Sequence, residues 1–320
     1  MARDVRAGLL QNPKTIPMQY YYDDEGSNLF QQIMHLDTYY VTNCEYEIFD
    51  KQTSAVLNTL SRGGKPFRLV ELGAGDGLKT KLLLKGLLQQ KQNVTYMPID
   101  ISQGAIDTLT KSFNEEMPEL DMEPVVNDFF VGLHHLSDKK QQNTNSTTKG
   151  HKAILFVGST IGNMDESEAV EFLSNVGAEM TSDDRLLIGF DLKKDPGVII
   201  RAYDDPDGLS RSFNMNLLER LNRELGANFD LDQWVFHQAY NPITGSRRTY
   251  LVSRVEQEVT FGAMNNFTVT MGEWEPIWTA VSNKYDSKQI EELAAKTGFR
   301  VVKNFYDERK YFVDSVWERL

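Results

Sequence analysis

Immediately after the apolar run Phe67-Arg68-Leu69-Val70-Glu71-Leu72 stands Gly73-Ala74-Gly75-Asp76-Gly77. Glycines in such a turn let the backbone approach a ligand lying across the carboxyl ends of strands. A dinucleotide site needs Gly-x-Gly-x-x-Gly, and counting from Gly73 puts Leu78 where the third glycine belongs, so that template fails. For the glycines alone, a purely structural turn is the competing reading. The next apolar run ends in Asp100, whose carboxylate can accept from two adjacent hydroxyls. Asp128-Phe129 closes a third run with an acid able to accept from an amino group and a ring able to cover a flat base; for Phe129 alone, a core position is the plainer alternative. Gly158-Ser159-Thr160-Ile161-Gly162-Asn163 follows a fourth run with small residues and one side-chain amide. It is no nucleophile elbow, since Val157 stands where Gly-x-Ser-x-Gly needs its first glycine. His35, His134, His135, His151 and His237 show no metal-ligand spacing, and the single cysteine, Cys44, excludes an internal disulfide and a cysteine-based zinc site. No metal is expected.

These residues need a frame. From Pro66 onward, short apolar runs alternate with helical periodicity, the sign of βαβ units on a parallel sheet. Strands are predicted at 67–72, 94–100, 124–126, 153–157 and 185–191, and helices at 79–89, from a Ser102 cap to 113, and at 166–180. The polar, low-complexity stretch 139–150 reads as a surface loop. Beyond Asp195-Pro196-Gly197 the style changes to a helix over 208–226 and antiparallel strands near 234–240 and 248–255. A helix over 287–297, then Phe299-Arg300-Val301-Val302 and Tyr311-Phe312-Val313, resumes the sheet pattern. The first fifty residues read as aromatic and irregular apart from one short helix; their tyrosines suit either surface packing or a lid. The expectation is a doubly wound α/β domain over 48–193 plus 284–320, carrying an inserted α+β domain over 194–283 that is joined by residues 1–47.

Composition narrows the partners. The 320 residues carry 46 acidic and 34 basic side chains, a formal net charge of −12, so the long-range field repels nucleic acid. The charged N-terminus lacks the apolar stretch of a signal peptide, and no run approaches the ~18 apolar residues of a membrane span. A cytoplasmic protein with no membrane partner is expected, acting as a monomer.

An acidic residue followed by Gly-x-Gly-x-Gly resembles the first motif of class I (Rossmann-like) S-adenosylmethionine-dependent methyltransferases, with Asp100 then placed for the ribose and Asp128-Phe129 for the adenine. Along nearly the whole chain, the sequence further resembles the histidine-specific S-adenosylmethionine-dependent methyltransferase family. The resemblance is carried by Arg3-Asp4-Val5-Arg6-Ala7-Gly8-Leu9, Tyr22-Asp23, Gly26-Ser27, Leu29-Phe30, Tyr39-Tyr40, Val70-Glu71-Leu72-Gly73, the 158–163 stretch, Arg201-Ala202-Tyr203-Asp204-Asp205 and Asn222-Arg223-Glu224-Leu225. It implies an amino-acid N-methyltransferase that trimethylates the α-amino group of L-histidine in ergothioneine biosynthesis. By the same resemblance Tyr39, Gly73, Lys79, Asp100, Asp128 and Phe129 match cofactor-binding positions. Tyr22, Phe30, Gly158, Asn163 and Tyr203 match positions around the amino acid, with Asn163 and Tyr203 holding its carboxylate and amino group and Tyr39 a further catalytic candidate.

Two positions depart from that pattern. In the family a glutamate and a serine, two apart, read the imidazole; here Ser282 is kept but Ala280 replaces the glutamate, and Thr249 replaces a methionine. An unsatisfied ring nitrogen in a buried pocket costs about 1–3 kcal/mol, roughly 10–100-fold in affinity. Tryptophan, tyrosine or a modified histidine such as thiohistidine is therefore the alternative acceptor, and a cofactor-binding protein without turnover is the third reading. A shifted match would instead offer Glu275 or Glu273 as the acid.

Overall fold

The computed structural model describes residues 1–92, 94–134 and 150–320. His135 and nearly all of the expected 139–150 loop lie outside these residues. The chain divides into two compact units, 1–40 with 193–284, and 41–192 with 285–320, the first border falling just after the first residue of the Tyr40–Leu60 helix.

The larger unit is built on an eight-stranded sheet. Five parallel positions are filled by Phe67–Leu72, Val94–Asp100, the two short pieces Asp121–Met122 and Val125–Val126 that both pair with Val94–Asp100, His151–Phe156 and Arg185–Asp191. Phe312–Arg319 runs antiparallel beside Arg185–Asp191, and Phe299–Tyr306 forms the edge. Every residue of His151–Phe156 and Arg185–Asp191 is buried, as expected for central strands covered on both faces. Strand order reverses at Phe67–Leu72, whose neighbours are Val94–Asp100 on one side and His151–Phe156 on the other. A crevice at the carboxyl ends of strands beside such a reversal is the general ligand position of open α/β sheets. The core there joins Val70, Met97, Ile154, Phe156, Phe172, Leu186, Phe190 and Trp317. Helices start where their caps dictate: Ser102 accepts from Ala105 N, and Asp165 and Asp286 each close a capping box.

The smaller unit is α+β. Lys14–Thr15, Pro276–Asn283, Ser246–Ser253 and Trp234–Asn241 form a four-stranded sheet in that order, with a separate Gln257–Phe261/Phe267–Met271 hairpin. Its core gathers Val5, Leu9, Tyr21, Leu217, Leu218, Leu221, Trp234, Leu251, Phe261 and Ile277. The Leu209–Leu225 helix is closed at its C-terminus by Gly226, left-handed at φ 60° as such caps require.

Several elements depart from expectation. The first fifty residues are not irregular: Ala2–Leu9, Asp24–Met34 and the 21-residue Tyr40–Leu60 are helices. Tyrosine and β-branched residues weaken the local helical signal of the third, which buries Cys44, Glu45, Ile48, Phe49, Val56 and Leu57. The third strand is reduced to two-residue pieces, and Asp128 does not close it. Residues 129–134 are helical, and Asp128 accepts from Phe130 N at 2.9 Å as their cap.

Candidate functional site

In the larger unit the glycine turn has the backbone its sequence demands. Gly73, Gly75 and Gly77 adopt φ of 74°, 53° and 65°, a region costly for residues with a Cβ. Their surroundings differ. A Cβ on Gly75 would meet nothing within 4 Å, whereas one on Gly77 would lie 2.6 Å from Phe113 Cζ. Gly75 therefore keeps space open, and Gly77 lets the turn pack on the helix beneath. Above Gly73, the Phe129 ring would lie 3.4 Å from a Cβ, so this half-buried ring overhangs the turn while standing edge-on to Phe156 and Phe172. Asp100 ends its strand half-buried, with Oδ1 accepting from Ser102 N at 2.9 Å and no bond from a described residue to Oδ2. An open glycine cradle, an overhanging aromatic ring and a carboxylate oxygen left for hydroxyl donors fit an adenosyl group.

Glu71, just before the turn, is buried; burial pushes its carboxyl up to about 7 although Tyr96 and Thr80 both donate to it. It is a structural hub rather than a ligand group. Lys79 forms an ion pair with the fully buried carboxylate of Glu45. Burial pulls on the ammonium, but Glu45, with Asp314 and Glu71 behind it, outweighs that and raises the pKa of Lys79. Asp314 is buried with no donor from a described residue to either oxygen; desolvation and the neighbouring Glu45 push its pKa well above the ordinary carboxylate range. Glu45 also accepts from Gly158 N, at 2.8 and 3.0 Å.

Gly158 opens the loop after its strand at φ 76°. Ser159 follows at φ 55°, a strained value for a serine, held by Asp191 N donating to its Oγ at 3.1 Å. This kink delivers the Thr160–Asn163 turn, in which the half-buried Asn163 makes no side-chain hydrogen bond to any described residue. Its amide is available to a ligand.

In the smaller unit the structure brings Tyr22, Phe30, Tyr39 and Tyr203 into one aromatic chain. Tyr22 meets Phe30 edge-on at 5.6 Å between centroids, Phe30 meets Tyr39 at 6.1 Å, and Tyr39 meets Tyr203 at 5.6 Å. Phe213, from the Leu209–Leu225 helix, packs against both Tyr22 and Phe30. The Tyr203 hydroxyl lies 3.2 Å from Ser282 Oγ and accepts from Lys284 Nζ at 2.9 Å, while the ring face is covered by Arg247 at 3.9 Å. Thr249 Oγ1 accepts from Arg247 at 2.7 Å.

A β-bulge decides which residues share this face. Trp278 pairs with Tyr250, but Ala280 rather than Thr279 carries the register forward opposite Thr249, and Ser282 then stands opposite Arg247. One extra residue in a strand reverses which side chains face inward. Without the bulge Ala280 and Ser282 would not align with Thr249 and Arg247. Glu275 is committed elsewhere, accepting from Lys14 Nζ at 2.5 Å and from Gly272 N at 2.7 Å, and Glu273 is exposed. The alternative acids for the Ala280 position are thereby removed.

Sequence reasoning missed Glu45, Arg247, Lys284 and Phe213. Arg247 alone left a legible signal: in period two it falls on the same strand face as Thr249, Leu251 and Ser253, all buried. Among the described residues no group of three or more His, Cys, Asp or Glu is arranged to hold a metal ion, and no helix is long and apolar enough to cross a membrane.

Residues 1–319 match a family model described as histidine-specific methyltransferase, SAM-dependent. The chain is 33% identical over 300 residues to a histidine N-alpha-methyltransferase of Mycolicibacterium smegmatis, covering 94% of this chain and 89% of that protein. It is 32% identical over 308 residues to the protein of that name from Mycobacterium tuberculosis, covering 96% and 91%. Ergothioneine biosynthesis protein 1 of Schizosaccharomyces pombe is 30% identical over 254 residues, 78% of this chain but 32% of that longer protein.

Proposed function

Because the chain belongs to the histidine-specific, S-adenosylmethionine-dependent methyltransferase family, we propose that it methylates the α-amino group of a free amino acid, L-histidine first, through to the trimethylated product of ergothioneine biosynthesis. The observation that carries the reading is the aromatic set Tyr22, Phe30, Tyr39 and Tyr203, with Ser282 and Lys284 fixing the Tyr203 hydroxyl. Such a set suits a small zwitterion with a flat side chain. In this reading most of the cofactor residues belong to the larger unit and most of the amino-acid residues to the smaller one, Tyr39 and the Gly158–Asn163 loop being the exceptions.

S-Adenosylmethionine supplies an electrophilic methyl group on a sulfonium. The cofactor residues are Gly73 for close backbone approach, Asp100 for the ribose hydroxyls, Asp128 and Phe129 for the adenine, and, from the family resemblance, Lys79 and Tyr39. The chain's own work is orientation and choice of protonation state. Fixing two reactants in an attack geometry supplies up to about 7–11 kcal/mol of a bimolecular barrier, so direct in-line displacement by a neutral amine needs no covalent intermediate. Asn163 offers an amide to the acceptor, and Tyr203 is held at its ring face, its edge and its hydroxyl. Gly158 keeps the loop before Asn163 slim. Thr249, Ala280 and Ser282 line the side-chain end of the acceptor site. The net charge of −12 supports a small acceptor over a polyanion, and the reading takes the enzyme to be a cytoplasmic monomer.

The test is incubation with S-adenosylmethionine and the twenty amino acids, each followed by mass spectrometry. Addition of three methyl groups to histidine is expected, together with a loss of roughly 10–100-fold in kcat/KM for Asn163→Ala, the size of a lost charge-assisted hydrogen bond. Methylation of another amino acid alone, or an Asn163→Ala rate equal to wild type, overturns the reading.

A further inference from the structure

Arg247 is a buried cation without an anionic partner among the described residues. It is 6% exposed, yet no carboxylate among the described residues pairs with it. One terminal nitrogen, Nη1, donates to Thr249 Oγ1 at 2.7 Å and to Gln238 Oε1 at 3.3 Å. Nε is buried without an acceptor, and Nη2 makes no hydrogen bond to a described residue. The guanidinium lies on the face of Tyr203, near the neutral phenols of Tyr21, Tyr39 and Tyr40, and a second buried cation, Lys284, lies over the same Tyr203 ring and bonds its hydroxyl and Ser282. Leaving a buried charge uncompensated is expensive, and structures keep one where a ligand completes it.

The free edge has a definite chemistry. Nε and Nη2 are the two donors that present a parallel fork to a carboxylate, the strongest and most directional pairing open to arginine. The fork stands on the strand face that also carries Thr249, with Ser282 directly opposite and Ala280 opposite Thr249. Among the described residues no carboxylate pairs with the guanidinium, and the residue opposite Thr249 is the short Ala280. We propose that Arg247 is a specificity-determining residue whose Nε–Nη2 edge binds a carboxylate of the acceptor amino acid. This rests on the assignment of the smaller unit as the amino-acid site. The carboxylate comes from one of two places, the α-carboxylate of any amino acid or a second carboxylate on the acceptor's side chain.

The experiment is calorimetric titration of the intact protein, saturated with S-adenosylhomocysteine, with L-histidine, histamine and L-glutamate. It is run on wild type, Arg247→Met and Arg247→Lys, with unfolding midpoints as a check on the fold. Histamine has the imidazole and amine but no carboxylate. If the α-carboxylate is bound, Arg247→Met weakens L-histidine roughly 10–100-fold and leaves histamine within about twofold, and Arg247→Lys, keeping charge without the fork, recovers part of the loss. If a side-chain carboxylate is bound, the same pattern falls on L-glutamate while L-histidine and histamine keep their affinities. Equal weakening of L-histidine and histamine, or no change for any carboxylate ligand, overturns the proposal and leaves Arg247 as packing for Tyr203. Wild type that binds S-adenosylhomocysteine but none of the three ligands fails differently, because it removes the amino-acid site itself.

Discussion

Glu71 links the glycine turn to the pH dependence of folding. Its carboxyl ordinarily titrates near 4.5 and is raised to about 7 by burial, despite bonds from Tyr96 and Thr80. A carboxyl raised in the folded state keeps its proton after the unfolded chain has lost it. Its contribution to stability is therefore fully present below 4.5 and is lost as pH rises toward and past 7. With these two values the linkage relation gives a loss of about 2.5 kcal/mol between pH 5 and pH 8. Glu71→Gln keeps an acceptor oxygen for one of the two hydroxyls, offers an N–H to the other, and cannot titrate. Urea unfolding of both proteins without cofactor, at half-unit steps from pH 5 to pH 8, isolates the effect, because other titrating groups cancel in the difference. Wild type is expected to lose about 2.5 kcal/mol relative to Glu71→Gln across the range. A difference flat with pH would refute the assignment of Glu71 as a buried acid sharing its oxygens between Tyr96 and Thr80.

Two further substitutions separate packing from ligand space and pairing from burial. Gly77→Ala combines left-handed strain with a 2.6 Å approach to Phe113 Cζ and should cost about 2–5 kcal/mol in urea unfolding. Gly75→Ala, with nothing within 4 Å, should cost only about 1–2 kcal/mol while weakening S-adenosylmethionine binding; equal destabilisation by both would contradict the division of labour drawn for the turn. Lys79→Met leaves Glu45 buried without its cation and should destabilise by about 3–5 kcal/mol. The double variant Lys79→Met with Glu45→Gln should recover much of that, and strict additivity in the double-mutant cycle would show that the pair is not coupled.

Much of the architecture was legible because it rests on local chemistry. Ser102 is a cap whose side chain satisfies a helix donor three residues on. The glycines at 73, 75 and 77 announce a backbone that other residues resist. The long Tyr40–Leu60 helix was not legible, because its aromatic and β-branched residues are poor helix formers outside a core that buries them. Nor was the role of Asp128, since a two-residue strand gives no periodicity to mark where a strand ends and a helix cap begins.

The candidate site divides in the same way. By itself the sequence determined the glycine turn, the acid at the end of the second strand, the Gly158–Asn163 loop and the membership that these segments share with a family of methyltransferases, since each depends on residue types within a few positions of one another. Only the tertiary structure decided that Glu45 reaches Lys79 and Gly158 from a distant helix, that Asp314 is buried near them with its pKa raised, and that Glu275 is bound to Lys14. It also decided, through a single bulge between Trp278 and Ala280, that Ala280 and Ser282 face Thr249 and Arg247. The physical reason is that side-chain pairing across strands depends on register, one extra residue inverts it, and no local propensity records where that residue falls.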